Sequence, residues 1–144
     1  MNNRLSQRML PFYMKMPVFL AFIIITFLGQ VLWIVVISMD KNIDLRWSVL
    51  GYAVGFILGF MQGKWTALLW ENSFLQVLRR EITFWDAKGA KSLTFFTCLM
   101  LGLPILGILL IKSTAKLAGI QSYIFGFIGA MNLALFLWVR RMPK

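Results

Sequence analysis

The sequence predicts an all-α integral membrane protein with four transmembrane helices. Three observations lead to this fold class: 60% of the 144 residues are hydrophobic, the mean hydropathy is +0.77, and the charged residues fall in clusters between long uncharged runs. Only 14% of the residues are charged, whereas soluble domains carry about a quarter. A chain of this size cannot bury so much apolar surface in a soluble core, and uncharged runs of this length are typical of helices that cross a bilayer.

Four uncharged runs have the length of a membrane span. A helix rises about 1.5 Å per residue, so roughly 20 residues cross a hydrocarbon core of about 30 Å. The predicted spans are TM1 (17–39), TM2 (47–63), TM3 (92–111) and TM4 (117–139). No repeat or low-complexity linker divides the chain, and we interpret residues 1–144 as a single membrane domain.

The segment 64–91 between TM2 and TM3 carries charges throughout and is too polar to cross the membrane. On helical spacing its large apolar residues fall broadly on one side, which predicts an amphipathic cytoplasmic segment resting on the inner headgroups. These apolar residues are Trp65, Leu68, Leu75, Leu78, Ile82 and Trp85. The alternative is a hairpin in which Glu71, Asn72 and Ser73 form a turn between two short strands.

The basic residues predict the orientation. Of the 15 Lys and Arg residues, eleven lie in the two tails and the TM2–TM3 segment, and four lie in the other two connections. This asymmetry predicts that both termini are cytoplasmic, in a bacterial inner membrane. Four residues are expected at the membrane surface: Arg79, Arg80, Arg140 and Arg141. Since basic groups there gain about 1 kcal/mol each from anionic lipid, the net charge of +10 indicates the lipid bilayer as a partner and not nucleic acid.

A stripe of glycines follows TM2 at intervals of four residues. Its members are Gly51, Gly55, Gly59 and Gly63. TM4 has small residues at the same interval, namely Ala118, Ser122, Gly126 and Ala130. Small residues at this spacing let two helix backbones approach closely in a membrane. We therefore predict that TM2 packs on TM4, either within one chain or across a dimer interface.

Three amide side chains lie inside the predicted spans: Gln30 in TM1, and Gln121 and Asn132 in TM4. Amides in a bilayer form hydrogen bonds between helices or line a hydrated path. We favour interhelical contacts. A shared cavity lined by all three would instead support a transport role.

The sequence indicates no enzyme and predicts no catalytic residue, cofactor or metal ligand set. It contains no histidine and one cysteine, Cys98, so the usual metal ligands and the commonest general base are missing. All five acidic residues fall outside the predicted spans, which leaves no intramembrane carboxylate for a proton relay. Phosphate-binding, metalloprotease and nucleophile-elbow motifs are absent.

The order of elements from Gly51 to Arg141 resembles that of small, functionally unassigned CcdC-like bacterial inner-membrane proteins. The resemblance lies in the glycine-faced second span, the mixed-charge segment from Phe74 to Trp85 and the two closing spans, and it transfers no site residue. We predict a non-catalytic inner-membrane subunit or accessory factor that forms a homo-oligomer or joins a larger membrane protein. The alternatives are a component of an oligomeric transporter or channel, and a membrane immunity protein.

Overall fold

The computed structural model describes residues 7–39, 45–78, 81–110 and 114–143, and their regular secondary structure is helical. Four long helices account for most of them: α1 (Met16–Ser38), α2 (Leu45–Leu78), α3 (Ala90–Leu110) and α4 (Thr114–Arg140). Short 3-10 turns lie before α1 and before α3. The described part of the chain is therefore all-α, as the composition predicts.

Three of the four helices are long and apolar enough to cross a membrane, namely α1, α3 and most of α4. This is the pattern of a multi-pass membrane protein. The second helix, α2, does not meet the same criterion, because Gln62 and Lys64 interrupt its apolar run. The hydropathy of the described helices therefore identifies three spans and does not identify α2 as a fourth.

The helix that contains TM2 is much longer than the uncharged run. We expected the span to end at Gly63, but α2 continues without a break to Leu78. The hairpin alternative is wrong, because Glu71, Asn72 and Ser73 all lie inside this helix. The predicted end of the span and the end of the helix differ because the end of an uncharged run reports a change in solvation, whereas a helix continues until its backbone is broken or capped.

The amphipathic segment is accordingly not a separate element, since most of it is the last part of α2. Some of its apolar residues are buried by protein. Leu69 packs in a cluster with Ala90 and Leu93 at the start of α3, and Ile82 packs against that cluster. Ala67 packs in another cluster, which contains Leu135 of α4 and residues from the N-terminal tail.

The helices pack in an up-and-down arrangement around α4. Successive glycines of α2 meet successive turns of α4 in the same chain direction, so these two helices are parallel. In contrast α1 runs antiparallel to α4: Gly29 lies against Phe125, and Thr26 lies against Gly129 further along α4.

Both described ends of the chain lie at the same end of the bundle. The backbone N–H of Gln7 donates to the carbonyl oxygen of Pro143 at 2.9 Å. The Gln7 side-chain amide donates to the carbonyl oxygens of Val139 at 3.1 Å and Met142 at 3.2 Å. These bonds attach the N-terminal tail to the residues that end and follow α4.

Candidate functional site

The closest helix contact in the molecule is the seam between α2 and α4. Gly51, Gly55, Gly59 and Gly63 lie against the backbones of Gly119, Tyr123, Phe127 and Met131, respectively. A Cβ atom added to any of the four would come closer than 3.0 Å to α4. The sequence left open whether the glycine stripe meets a second copy of the chain, and the structure places the contact within one chain.

The small residues of α4 complete this seam. Ala118, Ser122, Gly126 and Ala130 are all buried, and a Cβ on Gly126 would meet the carbonyl oxygen of Tyr52. Without a hydrophobic driving force between helices in lipid, such close backbone contact supplies the dispersion energy that holds them together. The small-residue face of α2 is therefore buried against the small-residue face of α4.

A buried polar cluster links three helices near the end of the bundle opposite the termini. The Gln30 amide Nε2 of α1 donates to Ser122 Oγ of α4 at 3.2 Å and to Ser48 Oγ of α2 at 3.4 Å. The two serine hydroxyls are 2.5 Å apart. All three side chains are at least 94% buried. In an apolar solvent, these bonds define the rotation of each helix relative to the other two.

A second polar contact joins α2 to α3. The amide of Gln62, which is 1% exposed, donates to the hydroxyl oxygen of Thr97. The Thr97 hydroxyl in turn donates to the Leu93 carbonyl oxygen one turn earlier in α3, at 2.8 Å. Nearby, the rings of Trp65 and Phe96 are 5.9 Å apart between centroids. Polar and aromatic contacts between the middle of α2 and the first half of α3 therefore attach α3 to the bundle.

The three predicted amides do not converge on one cavity. Asn132 donates to the carbonyl oxygen of Ile128 within α4, at 2.8 Å. It lies ten residues from Ser122, the partner of Gln30, or about 15 Å along the helix. The Gln121 oxygen Oε1 is buried and accepts no hydrogen bond from the described residues. Gln30 is thus the amide among the three that bridges helices.

Of the predicted membrane-surface residues, Arg140 and Arg141 are exposed at the end of α4, whereas Arg79 and Arg80 lie outside the described residues.

The connection to α3 is held by a local contact. The Thr83 hydroxyl donates to the Asp86 carboxylate at 2.5 Å and the Thr83 backbone N–H donates at 3.3 Å. These two bonds, the hydroxyl first, keep the pKa of Asp86 below its ordinary value.

A groove of about 330 Å³ opens between α2 and α4 towards the end where the termini lie. Its lining from α2 includes Phe60, Lys64 and Glu71, and its lining from α4 includes Leu137, Trp138 and Arg141. The floor is apolar and two cations flank it. The Lys64 ammonium lies 4.9 Å from the centroid of the Phe60 ring, in a cation–π contact.

No group of three or more possible metal-ligating side chains occurs in the described part of the chain.

Comparison with known proteins adds no assignment. The chain matches no protein-family model, no curated protein and no solved structure. The resemblance to CcdC-like membrane proteins therefore stays an expectation, and any role has to be argued from the arrangement of the side chains.

Three functional side chains were not identified from the sequence. Ser48 lies near the start of α2 and Gln62 lies near the end of the predicted span, where polar residues are ordinary at a membrane interface. Lys64 was assigned to the cytoplasmic segment. Ser48 and Gln62 are buried where α2 meets its neighbours. Lys64 is an exposed residue inside α2, because the helix extends past its uncharged run. The signal that was available is the continuous small-residue repeat, whose last member, Gly63, lies between Gln62 and Lys64.

Proposed function

We propose that this chain is a non-catalytic subunit or accessory factor of a bacterial inner membrane, with four spans and cytoplasmic termini. The fourth span is α2. It runs parallel to α4 and is packed against it over its glycine stripe, which supports a membrane position at the same depth. The alternation of α1, α2, α3 and α4 then gives the tails a common side, in agreement with the bonds between Gln7 and the end of α4.

The observation that carries the proposed role is the uneven packing of the spans. The most apolar window of α4 is 44% buried within the chain, that of α1 is 17% buried and that of α3 is 6% buried. Side chains along α3 are largely uncovered, including Phe95 at 70% and Leu103 at 58% exposure. We therefore assign the core to α1, α2 and α4, and we assign the partner surface to α3.

This assignment changes which face serves assembly. The small-residue faces of α2 and α4 were one candidate for contact with another chain, but they are buried against each other. A partner, either a second copy or a larger membrane protein, would instead pack along α3. The alternative role as a transporter or channel component is not favoured, because Gln30, Gln121 and Asn132 do not line a common cavity in the structure.

The native cysteine provides the test, because Cys98 is exposed on α3. We would attach a photoreactive maleimide to Cys98 in native membranes and irradiate it. We expect an adduct with a protein. The matched control carries Cys98→Ser and Leu32→Cys, which moves the probe to the exposed face of α1. Protein adducts from position 98 but not from position 32 would support the proposal, and lipid adducts alone at position 98 would contradict it.

A further inference from the structure

The position of Lys64 in the bundle is unusual for a charged residue. By the register of the α2–α4 seam, Lys64 lies level with Asn132 of α4. Phe19, near the start of the apolar helix α1, packs in a cluster with Leu135 and Val139, further along α4. Lys64 therefore lies about 5–10 Å inside the level at which the spans begin, at one or two turns' depth.

Charge at that depth requires a compensating group. A lysine inside the hydrocarbon region costs several kcal/mol unless its ammonium reaches the interface or meets an anion. Within the described residues Lys64 forms a contact with the Phe60 ring and no ion pair. Glu71 lies seven residues further along α2, about 10 Å away along the helix axis.

The groove brings a second cation towards the same place. Arg141 lies nine residues beyond the level of Lys64 on the neighbouring helix, about 13 Å along the common axis. Arg141 directly follows the last residue of α4 and lines the groove from that end. The Lys64 ammonium lies over the Phe60 ring, one turn further from Arg141, and a rotamer change that snorkels it towards the interface brings it to the groove. The two cations can then approach one anion from opposite ends.

We propose that this groove binds the headgroup phosphate of one anionic phospholipid of the inner leaflet, between Lys64 and Arg141. With Glu71 included, the charged side chains lining the groove sum to +1, which a monoanionic phosphodiester neutralises. The lipid glycerol backbone and acyl chains would lie over the apolar floor of Phe60 and Leu137. Trp138 lies at the headgroup level, where amphipathic aromatic rings are enriched.

The two cations that line the groove favour an anionic lipid headgroup over an apolar helix of another protein. A headgroup fits, because its acyl chains leave the groove into the bilayer. The proposal rests on the four-span arrangement, but it does not depend on the partner assigned to α3.

The test is native mass spectrometry of the purified full chain in detergent with an equimolar mixture of phosphatidylglycerol and phosphatidylcholine. We expect wild-type protein to retain phosphatidylglycerol preferentially. Each of the variants Lys64→Gln and Arg141→Gln should lose about fivefold of this preference, the fold-change that corresponds to ~1 kcal/mol per basic group at a membrane surface. The double variant should lose about 25-fold on the same basis, and Lys64→Arg should retain the preference.

Arg140→Gln is the matched control, because Arg140 carries the same charge on the same turn and does not line the groove. An equal loss in Arg140→Gln would overturn the proposal in favour of general surface charge, and wild-type preference in the double variant would overturn it outright. Displacement of the lipid by millimolar inorganic phosphate would indicate a free-phosphate site instead. Photo-crosslinking from Cys98 should be unchanged in the groove variants, which separates failure of this proposal from failure of the α3 assignment.

Discussion

Gly59 of α2 packs directly against the backbone of Phe127 in α4, and no Cβ atom fits between them. Phe127 itself is fully buried. This contact lies in the middle of a parallel seam in which each glycine of the stripe meets the next turn of the neighbouring helix. The seam explains why a helix with Gln62 and Lys64 in its sequence keeps its place among more apolar spans.

We predict that Gly59→Ala destabilises the protein even though alanine favours a helix. The added methyl must push α2 away from the Phe127 backbone, at a cost on the order of 1–3 kcal/mol, which exceeds the gain of about 1 kcal/mol in helix propensity. Gly59→Ile should be worse. The free energy of unfolding in detergent would be measured for each variant.

The control for this prediction is Gly102→Ala in α3, where an added Cβ would meet nothing within 4 Å. Ile57→Leu serves as a second control, because Ile57 is 60% exposed. If Gly59→Ala is as stable as Gly102→Ala, the seam does not form in the membrane protein.

A second prediction concerns the buried hydroxyl pair, Ser48 and Ser122. Ser122→Ala removes the shorter of the two hydrogen bonds donated by Gln30 and the bond between the serines. We expect each single alanine variant to lose about 0.5–2 kcal/mol, as interhelical polar contacts in membranes do. The double variant should lose less than the sum, since both changes remove the same serine–serine bond.

Ser38→Ala is the comparison for the hydroxyl pair, because Ser38 is exposed and donates to the Val35 carbonyl within α1. The free energy of unfolding in a graded detergent mixture would be measured for the two single variants, the double variant and Ser38→Ala. Strict additivity of the two buried changes would show that Ser48 and Ser122 do not interact.

A third prediction tests the topology by cysteine labelling in a Cys98→Ala background. Cysteines replacing Lys15, Lys88 and Arg141 should react with a membrane-impermeant maleimide only after the cells are permeabilised. A cysteine replacing Lys116 should react in intact cells. The expectation follows from the basic-residue asymmetry and from the contact between the two tails. Reaction of position 141 in intact cells would reject cytoplasmic termini.

A fourth prediction concerns the Thr83–Asp86 contact, which lies outside the spans. The hydrogen bonds from Thr83 favour the charged carboxylate, so the pKa of Asp86 is lowered. Its stabilising contribution is present above the unfolded-state pKa of about 3.9 and is lost as the pH falls through the lower folded-state pKa. Thr83→Val should raise the pKa of Asp86, as followed by NMR titration of the carboxyl carbon.

Thr94→Val is the control for the Asp86 titration, because the Thr94 hydroxyl donates to the Ala90 carbonyl oxygen in α3. It should leave the Asp86 titration unchanged. An Asp86 pKa that is the same in wild type and in Thr83→Val would show that the two side chains do not interact in solution.

The fold class and three of the spans follow from the residues alone, since apolar length and the spacing of glycines are local properties of the chain. A repeat of four residues predicts a small helix face in any helix that contains it. Burial of Gln30 and of the α4 small residues was likewise expected, because polar and small residues in spans avoid the lipid face.

Only the tertiary structure decided what the glycine face meets and how far α2 extends. A stripe of small residues has the same local chemistry whether it faces the same chain or a second copy. Whether the contact forms within one chain depends on contacts between residues far apart in the sequence. The depth of Lys64 is decided in the same way. Hydropathy placed Lys64 beyond the predicted span, but α2 continues past it along α4 and brings it to the groove that Arg141 also lines.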